Sequence, residues 1–335
     1  MRYNNYFFQR NFMNLAPIIL FTYNRLEHTK KVLESLMQNK LAKNSELYIF
    51  CDGIKDNATN QEISKSQKLQ SYLKDFKIKS NNFKNIHLVI QDKNIGLADS
   101  IINGISKVIK LHKKAIILED DIVVSKVFLD YMNESLNKYE KQSKVWSINA
   151  WSYPIDSNDL DDCYFWRIPH CWGWGTWEDR WNLYARDIKW VENNFNKADI
   201  KAINLEGYAN YFNDFLLNKS GKIKTWAIFN YLICYKSNAL NLAPKISYIK
   251  QIGFDGSGVH CGSEDIYNAK AINEKFPISF PLEIKEDKIA LNKIQQFHKN
   301  LKKPLISRIK NKILKLYNRG GVAKSSYAHT SKKAA

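Results

Sequence analysis

KKAIILEDDIVVSKVFLDYM, residues 113–132, passes from an apolar run to three consecutive acids and then to a helical pattern. Ala115 to Leu118 has the composition of a strand buried on both faces. Glu119, Asp120 and Asp121 follow it directly. Three anions at the end of a central strand repel one another, and need a cation or hydrogen-bond donors to offset the repulsion. An all-oxygen set of this kind suits Mg²⁺ or Mn²⁺. An isolated EDD reads equally as a solvated acidic turn, so its surroundings must decide. Ser125 is placed to cap a helix in which Val127, Phe128, Tyr131 and Met132 recur at helical spacing.

Before this stretch the chain alternates. Pro17 to Thr22 is a second apolar run, with Tyr23, Asn24 and Arg25 directly after it. From Leu26 to Met37 the residues Val32, Leu33, Leu36 and Met37 fit one helix face. Glu46 to Cys51 reads as a strand closed by the turn pair Asp52-Gly53. Helices are predicted over about 60–76 and 97–111, and a third strand over Asn85 to Ile90. This alternation predicts an α/β fold: a mostly parallel sheet with helices on both faces. In such sheets ligands bind beyond the carboxyl ends of the strands. The post-strand loops Thr22 to Arg25, Asp52, Asp92 to Asn94, and Glu119 to Asp121 all carry polar groups, as a nucleotide-type ligand would require.

After residue 144 the pattern changes. Val145 to Trp151 reads as a strand and 152–163 as a polar loop. Residues 164–184, YFWRIPHCWGWGTWEDRWNLY, hold five of the nine tryptophans. With Gly173 and Gly175 among them, they read either as a wall on which sugar rings stack or as ordinary core. Residues 222–235 read as a helix, and Leu240 to Pro244 and Ile246 to Ile249 as strands. Residues 251–261, QIGFDGSGVHC, are glycine-rich and suit a loop that closes over a ligand. Within it His260 reads as a hydrogen-bonded structural residue or as a contact to phosphate or metal.

The formal charge of the 335-residue chain is +18, with thirteen Lys or Arg and no acid in residues 288–335. The basicity is therefore largely a property of the tail, and nucleic-acid binding is not needed to explain it. Leu305, Ile306, Ile309, Ile313, Leu316 and Tyr317 form an apolar stripe flanked by Arg308, Lys310, Lys312 and Lys315. That pattern fits a basic amphipathic helix on an anionic membrane surface, or a helix docked on the domain or on a partner. Five scattered cysteines without a CxxC pair point to a reducing compartment and against a structural zinc. No apolar run is long enough to span a bilayer, and residues 1–15 lack a signal-peptide core. These features point to a cytoplasmic protein, peripheral on the inner face of the membrane. There is no GxxxxGK[ST], which excludes a P-loop NTPase. The expected organisation is an N-terminal extension (1–15), one domain (16–284) with halves at about 16–125 and 126–284, a basic helical tail (285–319) and a disordered end (320–335).

In order along the chain, PIILFTYNR, CDG, DKNIGLADSI, ILEDDIVVSKVFLDYM, CWGWGTW and IGFDGSGVHC resemble the segments of GT-A-fold glycosyltransferases. The likeness is to family 2 enzymes and the N-acetylglucosaminyltransferase I-like group, and it covers residues 16–262. It implies a metal-dependent transfer from a nucleotide sugar, a UDP-sugar above all, to a cell-surface glycan or lipid-linked saccharide, with a hexosyl or N-acetylhexosaminyl group moved. A non-catalytic module that binds sugar nucleotides or glycans is the alternative. By the resemblance, Thr22, Tyr23, Asn24 and Arg25 border the uracil and ribose, and Asp52 accepts a hydrogen bond from the base. Asn94, Gly96 and Leu97 line the donor. Asp121 holds Mn²⁺ or Mg²⁺, with Glu119 and Asp120 toward the ribose or sugar hydroxyls, and His260 is a further candidate metal contact. The chain departs from the pattern where a Trp-Asp pair would supply a general base: Trp226 is followed by Ala227. Glu178 and Asp179 are the substitutes for that catalytic carboxylate, with Asp255 behind them.

Overall fold

The computed structural model of the chain describes residues 14–256, 265–269 and 271–301. In its first half β1 (Ile18–Thr22), β2 (Glu46–Cys51), β3 (Asn85–Ile90) and β4 (Lys114–Glu119) pair in parallel, in the order β3-β2-β1-β4. The connections are α1 (Leu26–Met37), α2 (Asn60–Lys79) and α3 (Leu97–His112). Strand side chains alternate between faces, so each strand feeds two cores. Ile18, Leu20, Leu47, Ile49, Ile116 and Leu118 pack with Val32, Leu33 and Leu36 of α1 and Leu69 and Leu73 of α2. Ile19, Phe21, Ala115 and Ile117 pack with Ile101, Ile105 and Val108 of α3 on the other face. The predicted helices on both faces are present.

The second half begins with β5 (Ile122–Val124) and α4 (Phe128–Tyr139), followed by β6 (Val145–Asn149), β7 (Cys163–Trp166) and β8 (Trp174–Trp177). Five helices come next: α5 (Glu178–Trp181), α6 (Ile188–Asn194), α7 (Lys197–Ile203), α8 (Phe212–Lys219) and α9 (Ala227–Lys236). The described chain then forms β9 (Leu240–Pro244), β10 (Ile249–Gln251) and α10 (Lys288–Leu301). β8, β6, β9 and β7 extend the sheet beyond β4 to eight strands. The β4–β8, β6–β8 and β7–β9 pairs are antiparallel, whereas β6–β9 is parallel. β5 and β10 form a separate antiparallel pair.

Three local expectations are corrected. Ser125 does not cap α4 with its side chain: its hydroxyl is buried without a partner among the described residues, and its carbonyl accepts from Phe128 N at 3.2 Å. The tryptophan-glycine segment runs from β7 through a connection at 167–173 into β8 and α5. There the close approach at Gly175 is to the protein itself, since a Cβ would lie 3.0 Å from the Ala115 carbonyl oxygen and 3.1 Å from Met132. The helix expected from 222 begins at Ala227.

α10 is docked on the body through buried Ala290, Leu291 and Ile294. Just before it, Glu286 takes both arms of Arg167, at 2.6 and 2.7 Å. His298 Nε2 lies 3.1 Å from the Tyr211 hydroxyl and 3.2 Å from that of Tyr153. The stripe from Leu305 to Tyr317 lies outside the described residues. Among the described residues no helix is long and apolar enough to cross a membrane.

Candidate functional site

β1 and β4 are in register with Phe21 opposite Glu119, so Thr22–Arg25 and Glu119–Asp121 leave the sheet side by side. Arg25 turns its guanidinium into the acids. One nitrogen, Nη2, contacts Asp120 Oδ1 and also lies 2.8 Å from Asp121 Oδ2. Thr22 Oγ1 donates to Asp120 Oδ2 at 3.4 Å. Asp120 and Asp121 are only 4% and 5% exposed. Burial, reinforced by the charges of Asp121 and Asp120, pushes the Glu119 carboxyl up to about 8. Burial likewise raises Asp120, with Arg25 opposing it. For Arg25 itself burial disfavours the charge, but the two aspartates outweigh it and hold the guanidinium above its ordinary range. With Glu119 largely protonated at neutral pH, two aspartates against one guanidinium still leave the site electronegative.

The far wall comes from the chain after β10. β10 pairs with β5, Gln251 opposite Ile122, and Ile252 N donates to the Asp121 carbonyl at 2.8 Å. Gly253 then passes the acid so closely that a Cβ would lie 2.5 Å from Asp121 Oδ2. Two residues on, Asp255 Oδ2 meets His28 Nε2 of α1 at 3.1 Å. The 252–256 loop is thus tied to α1 across the acidic cluster. Among the described residues no group of three His, Cys, Asp or Glu side chains is arranged to hold a metal ion. The donor chemistry nevertheless fits a hard divalent cation. It is all oxygen, its negative charge exceeds what Arg25 neutralises, and the backbone at Gly253 adds no bulk beside Asp121.

Asp52 is 6% exposed and its carboxylate serves the backbone. Oδ1 accepts from Gly53 N at 2.9 Å and Ile95 N at 3.0 Å, and Oδ2 from Gly96 N at 2.9 Å. Asn94 Nδ2 donates to the Gly53 carbonyl at 2.8 Å. The β2 and β3 ends are therefore laced together, with Gly53 forced by the approach of Lys93, whose carbonyl carbon would lie 2.3 Å from a Cβ. Gly96, at φ +81°, starts α3 in a conformation that favours glycine, and Leu97 stands 46% exposed beside it. Tyr23 and Asn24 are half-buried between β1 and α1, with Lys55 Nζ 5.7 Å from the Tyr23 ring centre.

Glu178 and Asp179 are not at this site. β8 runs antiparallel to β4, with Trp177 opposite Lys114 and Trp174 opposite Ile117. Residues after β8 therefore emerge at the amino end of β4. That end is about 20 Å from the acids, at the rise of an extended strand. Glu178 pairs there with Lys113 at 2.8 Å, and Asp179 with Arg180 at 2.7 Å. His260 lies outside the described residues. Of the five clustered tryptophans, Trp166, Trp174, Trp177 and Trp181 are buried core. Trp172 is only half-buried and lies 5.9 Å from both Phe254 and Tyr267, ring centre to ring centre. The sugar-wall expectation narrows to that residue. The glycine-rich 251–261 stretch pointed to a ligand loop, but His28 carried no signal in the sequence, because only the β5–β10 pairing brings that loop to α1.

No family model and no curated protein sequence matches the chain. Among solved structures it is similar to the mannosyltransferase PcManGT from Pyrobaculum calidifontis in complex with GDP-Man and Mn²⁺, at TM-score 0.36 and 12% identity, over 67% of this chain and 68% of that one. A UDP-glucose pyrophosphorylase complexed with UDP-glucose matches at TM-score 0.37 and 10% identity, over 71% of this chain and 92% of that one. S. aureus TarS matches at TM-score 0.28 and 16% identity, over 38% of this chain and only 20% of its own. Likeness at this level says nothing about chemistry, which rests on the side chains.

Proposed function

We propose that the chain is a glycosyltransferase acting on a nucleotide sugar, a UDP-sugar, with a cell-surface glycan or lipid-linked saccharide as acceptor. The observation that carries this is the meeting of Arg25, Asp120 and Asp121 at the adjoining carboxyl ends of β1 and β4. Asp121, with Asp120, would hold Mn²⁺ or Mg²⁺, and Glu119 would face the ribose or sugar hydroxyls. A divalent ion bound there would offset the charge that develops on the leaving diphosphate. Thr22, Tyr23 and Asn24 border the nucleoside. The Asp52 bonds hold the 93–96 loop in place, so that Asn94, Gly96 and Leu97 can line the donor.

The general base of an inverting transfer falls to Asp255. Its side chain is half-exposed and held by His28 beside the acids. A carboxylate positioned by an imidazole can take the proton of an acceptor hydroxyl. Trp172 and Phe254 stand next to it and would offer aromatic faces to the apolar side of an acceptor sugar. The excess of Lys and Arg in residues 288–335 supports work at an anionic membrane surface, on its cytoplasmic face.

Calorimetric titration of UDP, with GDP beside it, in the presence and absence of Mn²⁺ tests the proposal. Binding that needs Mn²⁺ and is lost in Asp121→Ala is expected. Equal binding by the variant would reject the metal role. The absence of a carboxylate after Trp226 favours a second reading, a module that binds sugar nucleotides without transfer. Slow Mn²⁺-dependent hydrolysis of a UDP-sugar by the purified protein would exclude that reading.

A further inference from the structure

Arg25 Nη2 faces carboxylate oxygens of both Asp120 and Asp121, so one nitrogen is shared between two acids from a single point. The other terminal nitrogen is poorly provided for. Nη1 is buried and has no hydrogen-bond partner among the described residues. The residue is also the first flanking α1, whose amino end carries partial positive charge and favours anions over cations. Its backbone, in contrast, is fixed: Thr29 N and Thr29 Oγ1 both donate to the Arg25 carbonyl at 2.9 Å. The side chain can therefore leave the acids without disturbing the helix start.

We propose that Arg25 is a resident counter-cation that yields Asp120 and Asp121 to a divalent ion when a nucleoside diphosphate offers its guanidinium a new anion. This inference rests on the functional proposal above and adds a coupling to it. A guanidinium and a divalent ion bearing on the same two carboxylates repel, so either weakens the other. A guanidinium displaced into a largely buried cleft is costly unless paired again. The diphosphate is the ligand that pairs it, through the planar fork that suits phosphate oxygens. The helix amino end beside it, a liability for the arginine, favours the same anion. Divalent ion and diphosphate thus bind cooperatively through Arg25, beyond their direct attraction for one another.

The experiment measures Mn²⁺ binding to the full chain, by calorimetry and by the paramagnetic resonance of free Mn²⁺, with and without saturating UDP. In the natural protein Mn²⁺ alone should bind weakly, and UDP should tighten it by roughly 5- to 150-fold. In Arg25→Met, Mn²⁺ alone should bind at least about tenfold tighter than in the natural protein, because a nearby like charge is gone. UDP should then add less. Arg25→Lys keeps the charge and should keep Mn²⁺ alone weak, which separates charge competition from a general change of the site. Thermal melting confirms that each variant is folded, and Arg25→Gln, which also removes the charge and has the same expected outcome, carries the test if the methionine variant is not. Arg25→Met binding Mn²⁺ alone no more tightly than the natural protein, or showing the same tightening by UDP, overturns the inference and leaves the functional proposal standing. Failure of the natural protein to bind Mn²⁺ or UDP under any of these conditions overturns both.

Discussion

Asp52→Asn would remove half of a carboxylate that now serves three backbone amides, Gly53 N, Ile95 N and Gly96 N, at 2.9 to 3.0 Å. The asparagine oxygen can still accept from two of them, but its amide nitrogen then faces the third, donor against donor. One charge-assisted bond disappears and the other two weaken to neutral ones, a loss of about 3 kcal/mol at a site this buried. The loss is local to the joint between the β2 and β3 ends, because Ile95 and Gly96 have the Asp52 carboxylate as acceptor. Amide hydrogen exchange at Ile95 and Gly96 should accelerate by about 100-fold. The melting temperature should fall by about 6 °C, at roughly 2 °C per kcal/mol for a chain of this size. Weaker UDP binding should accompany both changes, since the loosened loop carries Asn94 and Gly96. Unchanged protection at Ile95 and Gly96 would refute the reasoning, whatever happened to the nucleotide.

Glu178→Gln should cost less than about 1 kcal/mol, as surface ion pairs do, and Asp179→Asn more, because it strips the acid from the buried Arg180. Both should leave sugar-nucleotide hydrolysis unchanged; a 100-fold loss of rate from either, in a variant that is still folded, would put the chemistry at the other edge of the sheet. Burial of Glu46 works against its charge, but hydrogen bonds from His87, Asn85 and Lys84 hold its carboxyl at about 2, below its ordinary 4.5. Its stabilisation is therefore complete above pH 4.5 and is lost as pH falls through 2. Glu46→Gln should cost about 1 kcal/mol at pH 7, since its partners Lys84 and His87 are solvent-exposed and screened, and flatten the acid limb of stability measured by urea midpoints; an unaltered limb would contradict this. A Cβ at Gly104 would lie 2.5 Å from the Phe21 ring. Gly104→Ala gains about 1 kcal/mol of helix propensity and loses about 1–3 kcal/mol by overpacking, so the melting temperature should drop, and a rise would show that α3 can lift off β1.

The first half of the fold was legible because its elements carry their own periodicity. β2 and β3 fall where the apolar runs place them, and α1 spans the residues its apolar spacing marks. The acids were legible too, since three charges after a buried strand can only lie at its carboxyl end. The second half resisted. Tryptophans at 166, 174, 177 and 181 look alike in sequence whether they line a cleft or fill a core, and hydrophobic bulk alone does not distinguish the two.

By itself the sequence determined the alternation of strands and helices, and with it the edge where Thr22 to Arg25 and Glu119 to Asp121 would meet. Only the tertiary structure decided that β8 runs antiparallel to β4, which carries Glu178 and Asp179 to the opposite edge. Only the pairing of β5 with β10 brings Gly253 against Asp121 and ties Asp255 to His28. Likewise, Arg25 finds the two aspartates across 95 and 96 residues of chain. Periodicity and burial are local properties of a chain, but the direction of a distant pairing is set by packing both faces of the sheet at once.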